Sequence, residues 1–314
     1  MGLVHRLRIA FLAVLSAAGI AHAAAPSPTR VASMPDAVRP ASVPGDYVIT
    51  PNGYFHPSCV VHLDEDDEIT AGGDVLRPDG RSRKVGACAY PSFDASGRAR
   101  TNVFYNGYIT LSATDPDVTP NANQMKAKWV VPSGPTNASG QTLYFFPGLE
   151  QAPNVMTILQ PVLAWNGFGD SAWTMTNWNC CKSGTTFHGN TIRVRTGDRI
   201  EGTMKGTCKN GQPCPTWRIV STDVTTGQST TFKTSSFGQA FNWWFGGAME
   251  TYGVNTCNQF PANGSITFDH INVYDVNFQQ VTPTWTEIVD DSNAPDCSYA
   301  VNATTKKTVI TFTP

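Results

Sequence analysis

Residues 191–233 read TIRVRTGDRIEGTMKGTCKNGQPCPTWRIVSTDVTTGQSTTFK, and this stretch decides the fold class. Four short β-prone runs (191–195, 199–205, 216–223 and 229–233) are separated by Thr196-Gly197-Asp198, by a loop between Cys208 and Cys214, and by Thr225-Thr226-Gly227. Gly accepts positive φ without steric cost and Asp bonds its own backbone, so both short breaks predict hairpins. The same texture extends outward over 103–111, 126–131, 142–146, 157–165, 172–178, 248–252, 265–274, 284–288 and 308–312, and no segment carries a helical apolar period. Many short strands joined by tight turns predict an all-β protein, an antiparallel sandwich or barrel over residues 101–314.

Composition narrows what such a domain does. With 40% apolar and 15% charged residues the chain buries a core and is not disordered. A net charge of −2, with no basic cluster beyond Arg81, Arg83 and Lys84, provides no footprint for nucleic acid or anionic membranes, so neither is expected as a partner. Residues 1–23 join a basic start (Arg6, Arg8) to an apolar run and the small-x-small sequence Ala21-His22-Ala23. This is the pattern of a secretory signal peptide and predicts export to an extracellular or periplasmic space. Residues 24–100 then begin with a flexible Ala/Pro/Ser-rich leader and continue through short apolar pieces and the acidic run Asp64-Glu65-Asp66-Asp67-Glu68. They fit a propeptide or an N-terminal extension of the domain; the acidic run lacks calcium-loop spacing and reads as a solvated loop.

In an oxidising compartment eight cysteines predict disulfides. Cys59 pairs with Cys88 ahead of the strand region, and Cys208 with Cys214 across the turn-rich loop. Cys180, Cys181, Cys257 and Cys297 are left for two longer links of open connectivity. No Cys-x-x-Cys or close His pair supplies metal-ligand spacing, and neither a metal nor an organic cofactor is expected.

The familiar catalytic signatures are missing: the chain has no Gly-x-Ser-x-Gly elbow, His-Glu-x-x-His helix or Gly-rich phosphate loop. His188 and His270 are the only histidines of the strand region, so carboxylate and amide chemistry remains. Glu150, Glu250 and Gln160 stand out because they lie among apolar and aromatic residues, where an ionised carboxylate is costly and an amide must find partners. With a period of two, Ile158, Gln160 and Val162 share one face of their strand, as do Ala248, Glu250 and Tyr252 of theirs. Such residues serve either as polar side chains on a concave face or as a pair, with the carboxylate moving a proton and the amide donating to an oxyanion.

At these residues the sequence resembles the glutamic peptidases of the eqolisin type and, more distantly, neprosin-like peptidases. The matches come in order from about residue 128 to 274: Trp129-Val130-Val131-Pro132, Phe146-Pro147-Gly148-Leu149-Glu150, Ile158-Leu159-Gln160, Ala172-Trp173 through Asn177-Trp178, Thr196-Gly197-Asp198-Arg199-Ile200, and Ala248-Met249-Glu250-Thr251-Tyr252. Glu150 replaces the usual Asp, Asn177 stands where an acid is expected, and Trp243-Trp244-Phe245-Gly246-Gly247 is nearer a neprosin Trp-Gly-Gly-Glu than the eqolisin pattern. The resemblance implies a β-sandwich like a legume lectin (a concanavalin A-like jelly roll), a removable propeptide and a protein or peptide substrate. It also implies hydrolysis by direct attack of water at acidic pH. In that scheme Gln160 and Glu250 are catalytic, Glu150 supports them, and Trp129, Phe146, Trp173 and Tyr252 line the cleft.

Two other functions fit the same residues. A lectin-like sandwich with an aromatic face binds carbohydrate without catalysis, and Glu150 with Glu250 forms a glycosidase pair if the carboxylates lie about 5 to 10 Å apart.

Overall fold

Val, Ile, Thr and aromatic side chains favour strands because they pack well on a pleated, half-buried surface. The computed structural model describes residues 39–100, 108–292 and 294–314. The N-terminal extension (residues 39–100) contributes the short strands β1 (Val48–Thr50), β2 (Gly53–Phe55), β3 (Val60–His62), β4 (Glu68–Ile69), β5 (Val75–Leu76) and β6 (Ser82–Arg83). The main domain follows with β7 (Tyr108–Ala113), β8 (Ala122–Val130), β9 (Thr142–Glu150), β10 (Ile158–Trp165), β11 (Trp173–Cys180), β12 (Thr186–His188), β13 (Ile192–Arg193), β14 (Arg199–Gly206) and β15 (Thr216–Asp223). It closes with β16 (Ser229–Ser235), β17 (Trp243–Tyr252), β18 (Ser265–Asp275), β19 (Gln280–Val281), β20 (Thr286–Val289), β21 (Ala300–Thr304) and β22 (Lys307–Thr311).

These strands form the sandwich that the sequence predicts. One sheet runs β20-β7-β17-β9-β10-β11-β12-β3, with β13 also on β11; the other runs β21-β22-β18-β8-β14-β15-β16-β4-β5-β6, with β19 on β18. Leu143, Phe145, Leu149, Leu159, Leu163, Trp173 and Met249 of the first sheet pack on Met125, Trp129, Ile200, Met204, Ile219 and Phe268 of the second. Buried amides pin the two sheets together. Asn177 Nδ2 donates to Ile219 O and Thr230 O (3.2 and 3.0 Å), and Asn179 Nδ2 donates to Thr234 Oγ1 (2.6 Å).

The two glycine turns part company. Thr225-Thr226-Gly227 does join antiparallel β15 and β16. Thr196-Gly197-Asp198 is not a hairpin, because β13 pairs with β11 while β14 pairs with β8 and β15. That turn carries the chain from one sheet to the other, with Gly197 at φ +90°.

The extension is built into both sheets: β3 pairs in parallel with β12, and β4 in parallel with β16. Its β1–β2 hairpin lies over the outer face of the first sheet, where Val43, Tyr47, Ile49, Tyr54, Phe55 and Phe93 pack on Tyr144, Phe146, Val162, Trp178, Ala248 and Tyr252. Coverage on both faces explains why every residue of β9 is buried, whereas β14 alternates between the core and the surface.

Cys59–Cys88 and Cys208–Cys214 are bonded as expected. Of the remaining four, Cys257–Cys297 is a long link, while Cys180 bonds its immediate neighbour Cys181, so the second long link does not form. No disulfide among the described residues ties the extension to the main domain. The signal peptide lies outside the described residues, and no helix within them is long and apolar enough to cross a membrane.

Candidate active site

Strand alternation puts Gln160, Glu150, Glu250, Phe146 and Tyr252 on the outer face of the first sheet, because the residues between them, Leu149, Leu159 and Met249 among them, fill the core. Of the five residues expected to line or support a cleft, Glu150, Phe146 and Tyr252 lie on this face. Trp129 and Trp173 do not: both rings lie in the core between the sheets, Trp129 tilted 5.4 Å from Phe268 and Trp173 6.0 Å from Phe145.

Register decides which polar residues meet. Leu159 sits opposite Leu149 and Leu163 opposite Phe145, so Gln160 faces Gly148 on β9. On the other side of β9, Glu250 faces Tyr144 and Trp243 faces Glu150. Gln160 and Glu250 are therefore separated by an intervening strand and by the four-residue step from Tyr144 to Gly148. At about 4.8 Å per strand and about 3.3 Å per residue, their backbones lie about 16 Å apart. The structure does not bring them to one water molecule. Glu150, two residues from Gly148, is instead a diagonal cross-strand neighbour of Gln160, a relation that places the two residues about 7–8 Å apart and their Cβ atoms somewhat closer. Glu150 and Glu250 are six residues apart along β9 and β17, about 20 Å, which is too far for a carboxylate pair acting on one glycosidic bond.

Gln160 is fully buried, and its Nε2 donates to the backbone carbonyl of Pro51 (3.4 Å) at the turn between β1 and β2. A peptide carbonyl thus lies on the amide for which the family resemblance implies a catalytic role. Glu150 is 3% exposed, with Trp243 beside it, and the ring of Phe245 lies against Gly148.

Glu250 belongs to a tyrosine cluster. Tyr252 Oη donates to Glu250 Oε1 (2.7 Å), and the ring of Tyr252 meets Tyr54 edge-on at 5.3 Å and Tyr144 at 5.9 Å. Burial, and then the charge of Glu250, hold the Tyr144 phenol well above its usual range, so it stays a donor and bonds Ile49 O (3.4 Å). Burial likewise raises Tyr54. Sequence reasoning missed Tyr144, although period two from Phe146 places it on this face.

At the level of Gln160 the row continues through Trp178, His188 and His62. His188 is buried, and burial first and His62 second lower its pKa to about 3. It is a neutral ring whose Nδ1 donates to Gly189 O (3.0 Å). Among the described residues no group of three His, Cys, Asp or Glu side chains is placed to hold a metal.

No protein-family model matches the chain, and no curated protein does. Among solved structures it is similar to a scytalido-glutamic peptidase bound to a peptide-based transition-state analogue, at 14% identity over 65% of this chain and 98% of that one, with a TM-score of 0.47. It is also similar to SCP-B, a member of the eqolisin family of peptidases in complex with the tripeptide Ala-Ile-His, at 14% identity over 65% and 98%, with a TM-score of 0.44. A bacteriophage CBA120 tailspike domain matches at 11% identity over 51% of this chain and 23% of that one, with a TM-score of 0.30. Likenesses this distant transfer no residue roles.

Proposed function

We propose that the chain is an exported peptidase of the glutamic type held in a precursor form, with its reaction cleft on the outer face of the first sheet beneath the extension. The observation that carries this reading is the hydrogen bond from Gln160 Nε2 to a peptide carbonyl, that of Pro51, on a buried strand face. An amide N–H that already holds a peptide carbonyl is suited to receive the oxygen of a tetrahedral intermediate.

The carboxylate partner of Gln160 in this reading is Glu150 rather than Glu250, because of the two only Glu150 is its diagonal neighbour across adjacent strands. Glu150 takes a proton from the attacking water, Gln160 holds that water and then the oxyanion, and Glu150 returns the proton to the leaving amine. Glu250, with Tyr144 and Tyr252, shapes the far end of the same face. A carboxylate base and an amide donor suit acidic pH and require no cofactor.

The test is to incubate the purified full-length chain with a denatured protein from about pH 2 to pH 8, which brackets carboxyl titration. Substrate peptides appearing in acid, and absent with Gln160→Ala, are the expected result. A folded wild-type chain that has lost residues 39–100 and still cleaves nothing at any pH refutes the peptidase and favours carbohydrate binding on the uncovered face.

A further inference from the structure

His56-Pro57-Ser58 follows β2 in the extension. A residue before proline is pushed to extended backbone, and His56 sits at φ −62° and ψ 138°, with its ring turned back over Ser58. A backbone N–H only donates, so the contact from Ser58 N to His56 Nδ1 (3.3 Å) makes Nδ1 the bare nitrogen and puts the ring hydrogen on Nε2. Nε2 in turn lies 3.4 Å from Asp46 Oδ2. Ser58 Oγ is 2.7 Å from Nδ1 and therefore donates its hydroxyl hydrogen to it. The imidazole is held in this pose by Tyr90, stacked at 3.6 Å, and by Tyr47, which meets it edge-on at 5.7 Å. The Cys59–Cys88 bond ties the residue after Ser58 to the segment that carries Tyr90, while Ser58 itself is exposed.

We propose that Ser58 is an activated nucleophile that takes the acyl group of a short-chain carboxylic ester, with His56 as its base and Asp46 holding the imidazole. A serine hydroxyl is a weak nucleophile until an adjacent base accepts its hydrogen, and the diagnostic arrangement is nucleophile and base within hydrogen-bond reach and a third group orienting the base. Capping of the turn accounts for the bond from Ser58 N; it does not call for the shorter contact from the hydroxyl. The imidazole serves with either nitrogen as base, because both belong to one conjugated cation once the ring is protonated.

In the reaction Ser58 Oγ bonds to the ester carbonyl carbon as its hydrogen passes to His56 Nδ1. The bond from that carbon to the alcohol oxygen breaks, and the alcohol leaves with the hydrogen. Water then attacks the acyl group and gives a hydrogen to Nδ1; Ser58 recovers it as the carboxylic acid departs. The imidazolium formed in each half faces the Asp46 carboxylate. An ester suits so open a site, since an alcohol leaves more readily than an amine. The inference stands apart from the peptidase reading, whose scheme uses no serine.

The full-length chain is treated with diisopropyl fluorophosphate at about pH 8, above the ordinary imidazole range, and digested for mass spectrometry. The adduct forms as Ser58 Oγ bonds to phosphorus and fluoride leaves. A positioned base is worth about 10²–10⁴ in rate, so Ser58 is labelled about 10²-fold or more faster than exposed Ser82 of the same chain. This comparison needs no variant to fold. His56→Gln keeps a side-chain acceptor for the turn but removes the base, and its labelling falls to the rate of Ser82. Wild-type labelling of Ser58 within about threefold of Ser82, or an unchanged rate in His56→Gln, overturns the proposal. With p-nitrophenyl acetate as the ester, hydrolysis above that of Ser58→Ala, and lost once Ser58 carries the adduct, is the expected result. Equal hydrolysis by the wild type and Ser58→Ala refutes the acyl transfer.

Discussion

Replacing Gly247 by Ala strikes the irregularity that sets the register of β17. Phe245 faces Gly148 and Ala248 faces Phe146, so the strand carries extra chain between them, and Gly246 and Gly247 supply it. A Cβ on Gly247 would lie 2.4 Å from Cδ2, 2.8 Å from Cε2 and 3.1 Å from Cγ of Phe268. That ring is fully buried and packed on Trp129, so it cannot swing away. Overpacking of this kind costs about 1–3 kcal/mol, and three short contacts to one ring argue for about 2 kcal/mol or more. Urea unfolding followed by tryptophan fluorescence measures the loss; with a slope of about 3 kcal/mol/M the midpoint falls by about 0.7 M. Gly86→Ala is the control, since Gly86 is exposed and its added Cβ meets no atom within 4 Å, and it shifts stability by less than about 0.5 kcal/mol. Equal midpoints for the Gly247→Ala variant and the wild type would falsify the packing around this bulge, and with it the placement of Glu250 opposite Tyr144.

Two further outcomes follow from contacts elsewhere. Tyr252→Phe removes the donor to Glu250 Oε1, and because bonds to charged groups are worth about 1.5–3 kcal/mol, unfolding at pH 7 should show a loss in that range; a change under about 0.5 kcal/mol contradicts it. Converting both Cys257 and Cys297 to Ala opens a link across 40 residues, which loop-closure entropy values at about 3–4 kcal/mol, and a midpoint equal to the wild type's speaks against the bond.

The fold class was legible because alternation and turn chemistry are local. Residues 199–206 and 216–223 carry both, and they pair as read. Partner choice is not local. The Thr196-Gly197-Asp198 turn has hairpin chemistry whether the next strand joins the same sheet or the opposite one, and only the packing of the two sheets selects the latter. Strands of two or three residues such as Val60–His62 are too short to show a period, so the insertion of the extension into both sheets was invisible.

The site was legible by face and illegible by row. Period two groups Gln160 with Ile158 and Val162 and Glu250 with Ala248 and Tyr252, and the structure adds that the two strand faces lie on one side of the sheet. Which residues stand abreast depends on two inter-strand registers and on the β17 irregularity, none of which leaves a mark in the sequence. Trp129 was recoverable: Lys126 and Lys128 alternate with Met125, Ala127 and Trp129, which assigns the ring to the core. The Cys180–Cys181 bond was hidden by the expectation that cysteines seek distant partners.

The central claim is that Gln160 acts with Glu150. The measurement that tests it most directly is the acid-phase kcat/KM of the uncovered wild type beside Glu150→Gln, Glu250→Gln and Gln160→Ala, each checked for folding. Loss of an acting acid–base group costs about 10²–10⁴ in rate, so Glu150→Gln and Gln160→Ala should fall by that factor while Glu250→Gln stays within about tenfold of the wild type. Full activity in Glu150→Gln together with its loss in Glu250→Gln would contradict the pairing and return the carboxylate role to Glu250.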